Sequence, residues 1–226
     1  MMRYLIFVLP ILYALAMWHF SSWRLRRELD AKSTELADPA LKPVTDKLAR
    51  ALDIPRVRVF VYEIPQINGL AAPDGRIFIT RGFLQKFRSG EVSGEEIASV
   101  IAHEMGHVAL GHSRRRMIDF SGQNALRMLL MGILGRFIPV IGPWLANTLL
   151  SLLAAKLSRR DEYEADAYAT ALLLKAGIGA DPQISLFQKL ERLSGGNANQ
   201  IPAWLLSHPK ADERIAAIRD NTAKWT

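Results

Sequence analysis

The chain has 226 residues, 50% of them hydrophobic, with no cysteine and a formal net charge of +7. After one membrane segment is set aside, that length leaves room for one domain with its own core, and the lack of cysteine excludes disulfides and any thiolate metal ligand. The positive charge suits either nucleic acid or anionic lipid; no nucleic-acid motif appears, and Arg24, Arg26 and Arg27, Arg114 to Arg116, and Arg159 and Arg160 all flank apolar segments, so a lipid bilayer is the expected partner and nucleic acid is not.

The first element, Tyr4–Trp23, is almost uncharged and long enough to span a bilayer, with Trp18 and Trp23 suited to an interface. A cleaved signal segment is the competing reading, because Arg3 precedes the stretch and Ala14-Leu15-Ala16 resembles a cleavage site. Apolar sequence continues to Phe20, which favours an uncleaved anchor over residues 1–23 and a single domain over 24–226. Only Arg3 precedes the segment, whereas Arg24, Arg26, Arg27, Lys32, Lys42 and Lys47 follow it. This predicts a single-pass protein of the inner or cell membrane with its domain in the cytoplasm, the alternative being a periplasmic domain.

Residues 30–52 read as a pair of amphipathic helices punctuated by Pro39 and Pro43. Val57, Val59, Val61 and Tyr62 alternate as a strand, and Arg76–Thr80 forms another after the Pro73-Asp74-Gly75 turn. Ser93 is a candidate N-cap for a helix that carries Ile97, Val100 and Ile101 at apolar spacing. The apolar region 125–157 is broken by Gly135, Arg136, Pro139, Gly142 and Pro143 into pieces too short to cross a bilayer singly. It is expected to dip into the membrane as a hairpin or to mediate self-association. Beyond it, an Ala- and Leu-rich run predicts a second long helix. Asp181-Pro182 opens a further one to Leu193, Ser194–Gln200 is a Gly/Asn-rich loop, and a closing helix begins at Asp212. The fold class is α+β: mainly helical, with a small sheet beside the Ser93 helix and an N-terminal transmembrane helix ahead of the domain.

The chemistry concentrates in His103-Glu104-Met105-Gly106-His107. Residues four apart share a helix face, so the two imidazoles can grip one Zn²⁺ per chain while Glu104 takes a proton from water. A catalytic zinc needs a third protein ligand and one open position. Leu110 and Ser113 occupy the places where a metzincin would have its Gly and third His. His112 lies about 140° round the helix from His107 and reads as a helix-end residue near Gly111. In Asp161-Glu162-Tyr163-Glu164-Ala165-Asp166, Glu162 and Asp166 share a face: one can bind the ion while the other holds a ligand imidazole by its free N–H. Glu164 points elsewhere, into solvent.

These motifs resemble those of the HtpX and CAAX-prenyl-protease family of zinc metallopeptidases, a gluzincin group. The resemblance rests on the run from His103 to His112, on Glu162-Tyr163-Glu164-Ala165-Asp166 as the family's ExxAD, on Asn68 to Gly82, and on Ser207-His208-Pro209 with Arg214. It covers about residues 45–220. It implies a zinc endopeptidase with His103, His107 and Glu162 on the metal, Glu104 as general base, and Asp166 behind a ligand imidazole. It further implies His208 or Arg214 near the oxyanion, and a substrate-binding strand that includes Asn68, Ala71, Arg76, Ile77, Phe78 and Ile79. The peptide is expected to add as an extended strand beside Arg76–Thr80. Substrates would be unfolded or membrane-associated proteins, in quality control or processing. One departure is Gly69, where the family commonly has Ala. The other class in view is a membrane-tethered, non-catalytic metal-binding or chaperone-like protein; the intact Glu104 speaks against it, because a structural site needs no base.

Overall fold

The computed structural model describes residues 2–112, 115, 142–193, 204–205, 208 and 211–226. They fall into two compact units, one drawn from Met1–Glu28 and Gly111–Asp161, the other from Leu29–Leu110 and Glu162–Thr226.

The second unit holds the sheet. Helix α1 (Met2–Lys32) ends with Leu29 buried, and the chain passes directly into strand β1 (Ser33–Glu35). β1 pairs antiparallel with β2 (Val59–Tyr62), Thr34 opposite Val61. The expected helix pair over 30–52 is therefore corrected: residues 33–35 are strand, and a single helix, α2 (Lys42–Leu52), follows. Pro43 sits in its first turn, where a missing N–H costs nothing. The helix buries Val44, Leu48, Ala49 and Ala51 along one face. β2 starts two residues later than expected and runs parallel to β4 (Ile77–Thr80), which in turn pairs antiparallel with β3 (Gly69–Ala71). The sheet order is β1-β2-β4-β3, so β1 and β3 are its edges.

Helix α3 (Arg81–Arg88) follows β4 without a break, because the Thr80 hydroxyl caps it by accepting from the Phe83 N–H. Helix α4 (Gly94–Ala109) starts with a complete capping box: the Ser93 hydroxyl accepts from the Glu96 N–H at 3.1 Å, and the Glu96 carboxylate accepts from the Ser93 N–H at 2.7 Å. That carboxylate also takes Ser185 Oγ (2.6 Å) and Lys189 Nζ (2.8 Å), which ties the start of α4 to helix α6 (Asp181–Leu193). α4 packs against α2, β3, β4 and α6, and the core closes round it with Ile79, Phe83, Ile97, Ile101, Phe187 and Leu190 all buried. Helices α5 (Gly142–Lys175) and α7 (Ala211–Trp225) complete the described elements.

In the first unit, Phe20 and Trp23 are 54% and 55% exposed, and the Arg27 guanidinium lies 5.4 Å above the Trp23 ring. His112 follows the end of α4 as expected, but it is fully buried, its Nε2 3.8 Å from Asp161 Oδ1, which also accepts from Arg115. Among the described residues no helix is long and apolar enough to cross a membrane. Much of Tyr4–Trp23 has side chains outside that description, as do residues 125–141 of the apolar insertion and the Ser194–Gln200 loop.

Candidate metal centre

Two helices bring the site together. α4 presents His103, Glu104 and His107, and α5 presents Glu162 and Asp166; all five are at most 3% exposed. Helical pitch sets the spacing within each helix. Between them, Gly106 faces Ala165: a Cβ on Gly106 would lie 3.0 Å from both Ala165 Cα and Ala165 O. A side chain here would crowd the facing backbone, and glycine lets the two helices approach without that strain.

His103 Nε2 and His107 Nε2 are 3.1 Å apart. Glu162 Oε2 is 3.4 Å from the first and Glu162 Oε1 is 3.5 Å from the second. An ion holding ligands tetrahedrally at 2.0–2.1 Å separates neighbouring donor atoms by about 3.3 Å. Two imidazoles and a carboxylate gathered at these distances fit a divalent ion. His208 belongs to the same cluster. Its Nδ1 is 2.5 Å from Glu162 Oε2 and its Nε2 is 3.6 Å from Glu104 Oε1.

Behind the imidazoles lies a buried polar network. Asp166 Oδ1 receives the His103 Nδ1–H at 3.0 Å, which turns Nε2 toward the cluster. Arg214, 1% exposed, donates from Nε to Asp166 Oδ2 (2.6 Å) and from Nη2 to Oδ1 (2.7 Å), and its Nη1 binds the His208 carbonyl (3.0 Å). Gln183 reaches Asp166 Oδ1 at 3.4 Å, its own carbonyl accepting from the Thr170 hydroxyl at 2.9 Å. The Trp204 ring is tilted over His208 at 5.1 Å and meets His103 edge-on at 5.9 Å. The Trp204 backbone N–H donates to Ile67 O, and its backbone carbonyl accepts from the His208 N–H.

The charges are set by this packing. Burial opposes ionisation of Glu162, but hydrogen bonds from His103 and His208 outweigh it and hold the carboxyl well below the usual carboxylate range. Asp166 is likewise lowered against burial, by the Arg214 charge and then its hydrogen bond. Burial pushes the His208 imidazole down to about 4, whereas for His103 the Asp166 and Glu162 hydrogen bonds overcome burial and raise it to about 9.

Of the residues singled out in the sequence, His103, Glu104, His107, Glu162, Asp166, His208 and Arg214 thus converge on one buried cluster. Glu164 does not join it. It is half-buried, not turned into open solvent. The substrate strand requires a correction. Ile77, Phe78 and Ile79 are buried and β4 is paired on both sides, so no peptide can add beside it; among the described residues the edge on this side of the sheet is β3, which carries Ala71. Arg76 is held by Asp74 and Asp30, and the Asn68 N–H and carbonyl are both bonded to the Thr80 hydroxyl. Gly69 has a physical reason absent from the sequence reading: a Cβ there would meet Val100 Cγ1 at 2.7 Å and Glu104 Oε1 at 3.2 Å. The edge strand therefore runs directly over the general-base candidate. Thr170, Gln183 and Trp204 were missed. Thr170 is legible as the residue one turn beyond Asp166, whereas Gln183 and Trp204 carry no local signal.

A buried His–His–carboxylate cluster with an adjacent glutamate and a sheet edge beside it defines a metal-dependent endopeptidase. The chain belongs to peptidase family M48, whose sequence profile matches residues 35–222. It is similar to metalloprotease LoiP of Escherichia coli (31% identical, covering 86% of this chain and 76% of LoiP) and to metalloprotease YcaL of the same organism (31%, 72% of this chain and 61% of YcaL). It is also similar to protease HtpX of Pseudomonas aeruginosa (27%, 79% and 71%).

Proposed function

We propose that the chain is a zinc endopeptidase that cleaves unfolded or membrane-associated proteins at a membrane surface, in quality control or processing. The observation that carries this reading is the buried triangle of His103, His107 and Glu162, with donor atoms 3.1–3.5 Å apart and Glu104 beside it. Zinc is the ion best matched to two imidazoles and one carboxylate with no thiolate. Bound there, it supplies Lewis acidity and an acidified water.

The rest is the work of the chain's own groups. Glu104 accepts the proton of the attacking water and returns it to the leaving amine. Its carboxylate lies between Gly69 of the edge strand and His208, where an extended peptide added to β3 would cross it. Asp166 fixes the ring of His103, and Arg214 fixes Asp166. With its guanidinium committed to Asp166 and the His208 carbonyl, Arg214 is a positioning residue, and His208 is the group left to meet the developing oxyanion. Residues 1–23 act as anchor to the domain 24–226, with the apolar stretch 125–157 on the lipid and the catalytic domain in the cytoplasm. The exposed Phe20 and Trp23, followed by Arg24, Arg26 and Arg27, support that placement.

Metal analysis tests the ligand set. The purified chain should carry one zinc, and His103→Ala, His107→Ala and Glu162→Ala should each lose it. Zinc kept by Glu162→Ala and lost by Glu164→Ala would overturn the assignment.

A further inference from the structure

We infer that Gly106 is a positioning residue that sets the size of the metal site, so that its lack of a side chain selects a small ion. The inference rests on the ligand assignment above. His103 and His107 ride on α4 and Glu162 on α5, and the two helices meet where Gly106 faces Ala165. Gly106 is next to the ligand His107, and Ala165 is next to Asp166, which holds His103. The atoms a Cβ on Gly106 would strike are Ala165 Cα and O at 3.0 Å and Tyr168 Cβ at 3.2 Å. Two of these are helix backbone and the third is the root of a side chain, so no rotamer change makes room.

Relieving these contacts toward ordinary van der Waals distances would part the helices by a few tenths of an ångström. The consequence is directional. The His103–His107 separation of 3.1 Å lies within α4 and stays as it is. The two separations that cross between helices, 3.4 and 3.5 Å from the imidazoles to Glu162, widen by that amount. A triangle stretched on two edges suits a larger ion than zinc. Alanine also favours an isolated helix over glycine, so weaker zinc binding by Gly106→Ala would not come from poor helix formation. Gly94, on the same helix, is the internal control: a Cβ there meets only side-chain atoms at 3.8 Å.

The experiment measures zinc and cadmium affinity by chelator competition for the full-length wild type, Gly106→Ala and Gly94→Ala, with far-ultraviolet circular dichroism on the metal-free chains. Cadmium has the charge and filled shell of zinc and a larger radius. Gly106→Ala should weaken zinc at least tenfold, weaken cadmium much less, and keep its helical signal, while Gly94→Ala matches wild type. Equal losses of both ions, unchanged zinc affinity, or the same loss in Gly94→Ala would overturn the inference. Should metal-free Gly106→Ala fail to fold, cadmium should restore its helical signal at a lower concentration than zinc; restoration by zinc first, or by neither, would contradict it. A wild type that binds neither ion would instead refute the ligand assignment.

Discussion

Replacing Arg214 with methionine would leave the Asp166 carboxylate buried, 2% exposed, without its two shortest hydrogen bonds, 2.6 and 2.7 Å. Gln183 at 3.4 Å is too distant to compensate, and the His103 Nδ1–H is the one strong donor left. Removing one member of a buried ion pair costs about 3–5 kcal/mol, because the remaining charge stays buried without its counter-ion. The His208 carbonyl loses a donor as well. Urea unfolding of the metal-free chain should therefore show Arg214→Met less stable by about 4 kcal/mol. The double variant Arg214→Met with Asp166→Leu separates the two roles. It removes both charges, so most of that stability should return, but it also takes away the acceptor of the His103 Nδ1–H, so zinc affinity should be about 10–100-fold below wild type. A cost under about 1 kcal/mol for the single variant, or recovered zinc affinity in the double, would refute the claim that Arg214 acts on the metal through Asp166.

Glu96→Gln should destabilise the chain by about 2 kcal/mol at neutral pH, as the carboxylate charge and one of the two oxygens that accept from Lys189 and Ser185 are lost. Burial works to raise the Glu96 carboxyl, but Lys189, Ser185 and the Ser93 N–H together hold it below its ordinary 4.5. Its contribution is accordingly present above pH 4.5 and lost as acid protonates the folded form, so the difference between wild type and variant should shrink through that acid range. Deleting residues 1–23 should release much of the protein from membranes, and a reporter fused after Thr226 should be active in the cytoplasm; release of the full-length chain by carbonate, or a reporter active only outside the inner membrane, would replace the anchor with a cleaved signal.

What could be read from the sequence followed from helix pitch. Ser93 announces the start of α4, His103 and His107 share a face because they are four apart, and so do Glu162 and Asp166. Pitch says nothing about how the two faces meet, which depends on the contact between Gly106 and Ala165. Strand order was hidden for a similar reason. The sequence of β4 shows a strand, but only pairing with β2 and β3 shows it to be internal, which moves the accessible edge to Gly69–Ala71. β1 escaped notice because three polar residues after a long helix owe their extended form to the partner Phe60–Tyr62 and not to their own propensity. Trp204 and Gln183 reach the site through tertiary packing alone.

The central claim is that Glu104 moves the proton in a metal-dependent cleavage. Glu104→Gln keeps the shape of the side chain and leaves His103, His107 and Glu162 intact, so one measurement reads both halves of the claim: zinc content and casein cleavage on the same purified preparation. The account predicts full zinc occupancy with cleavage reduced about 100-fold or more. Undiminished cleavage by the zinc-loaded variant would contradict it.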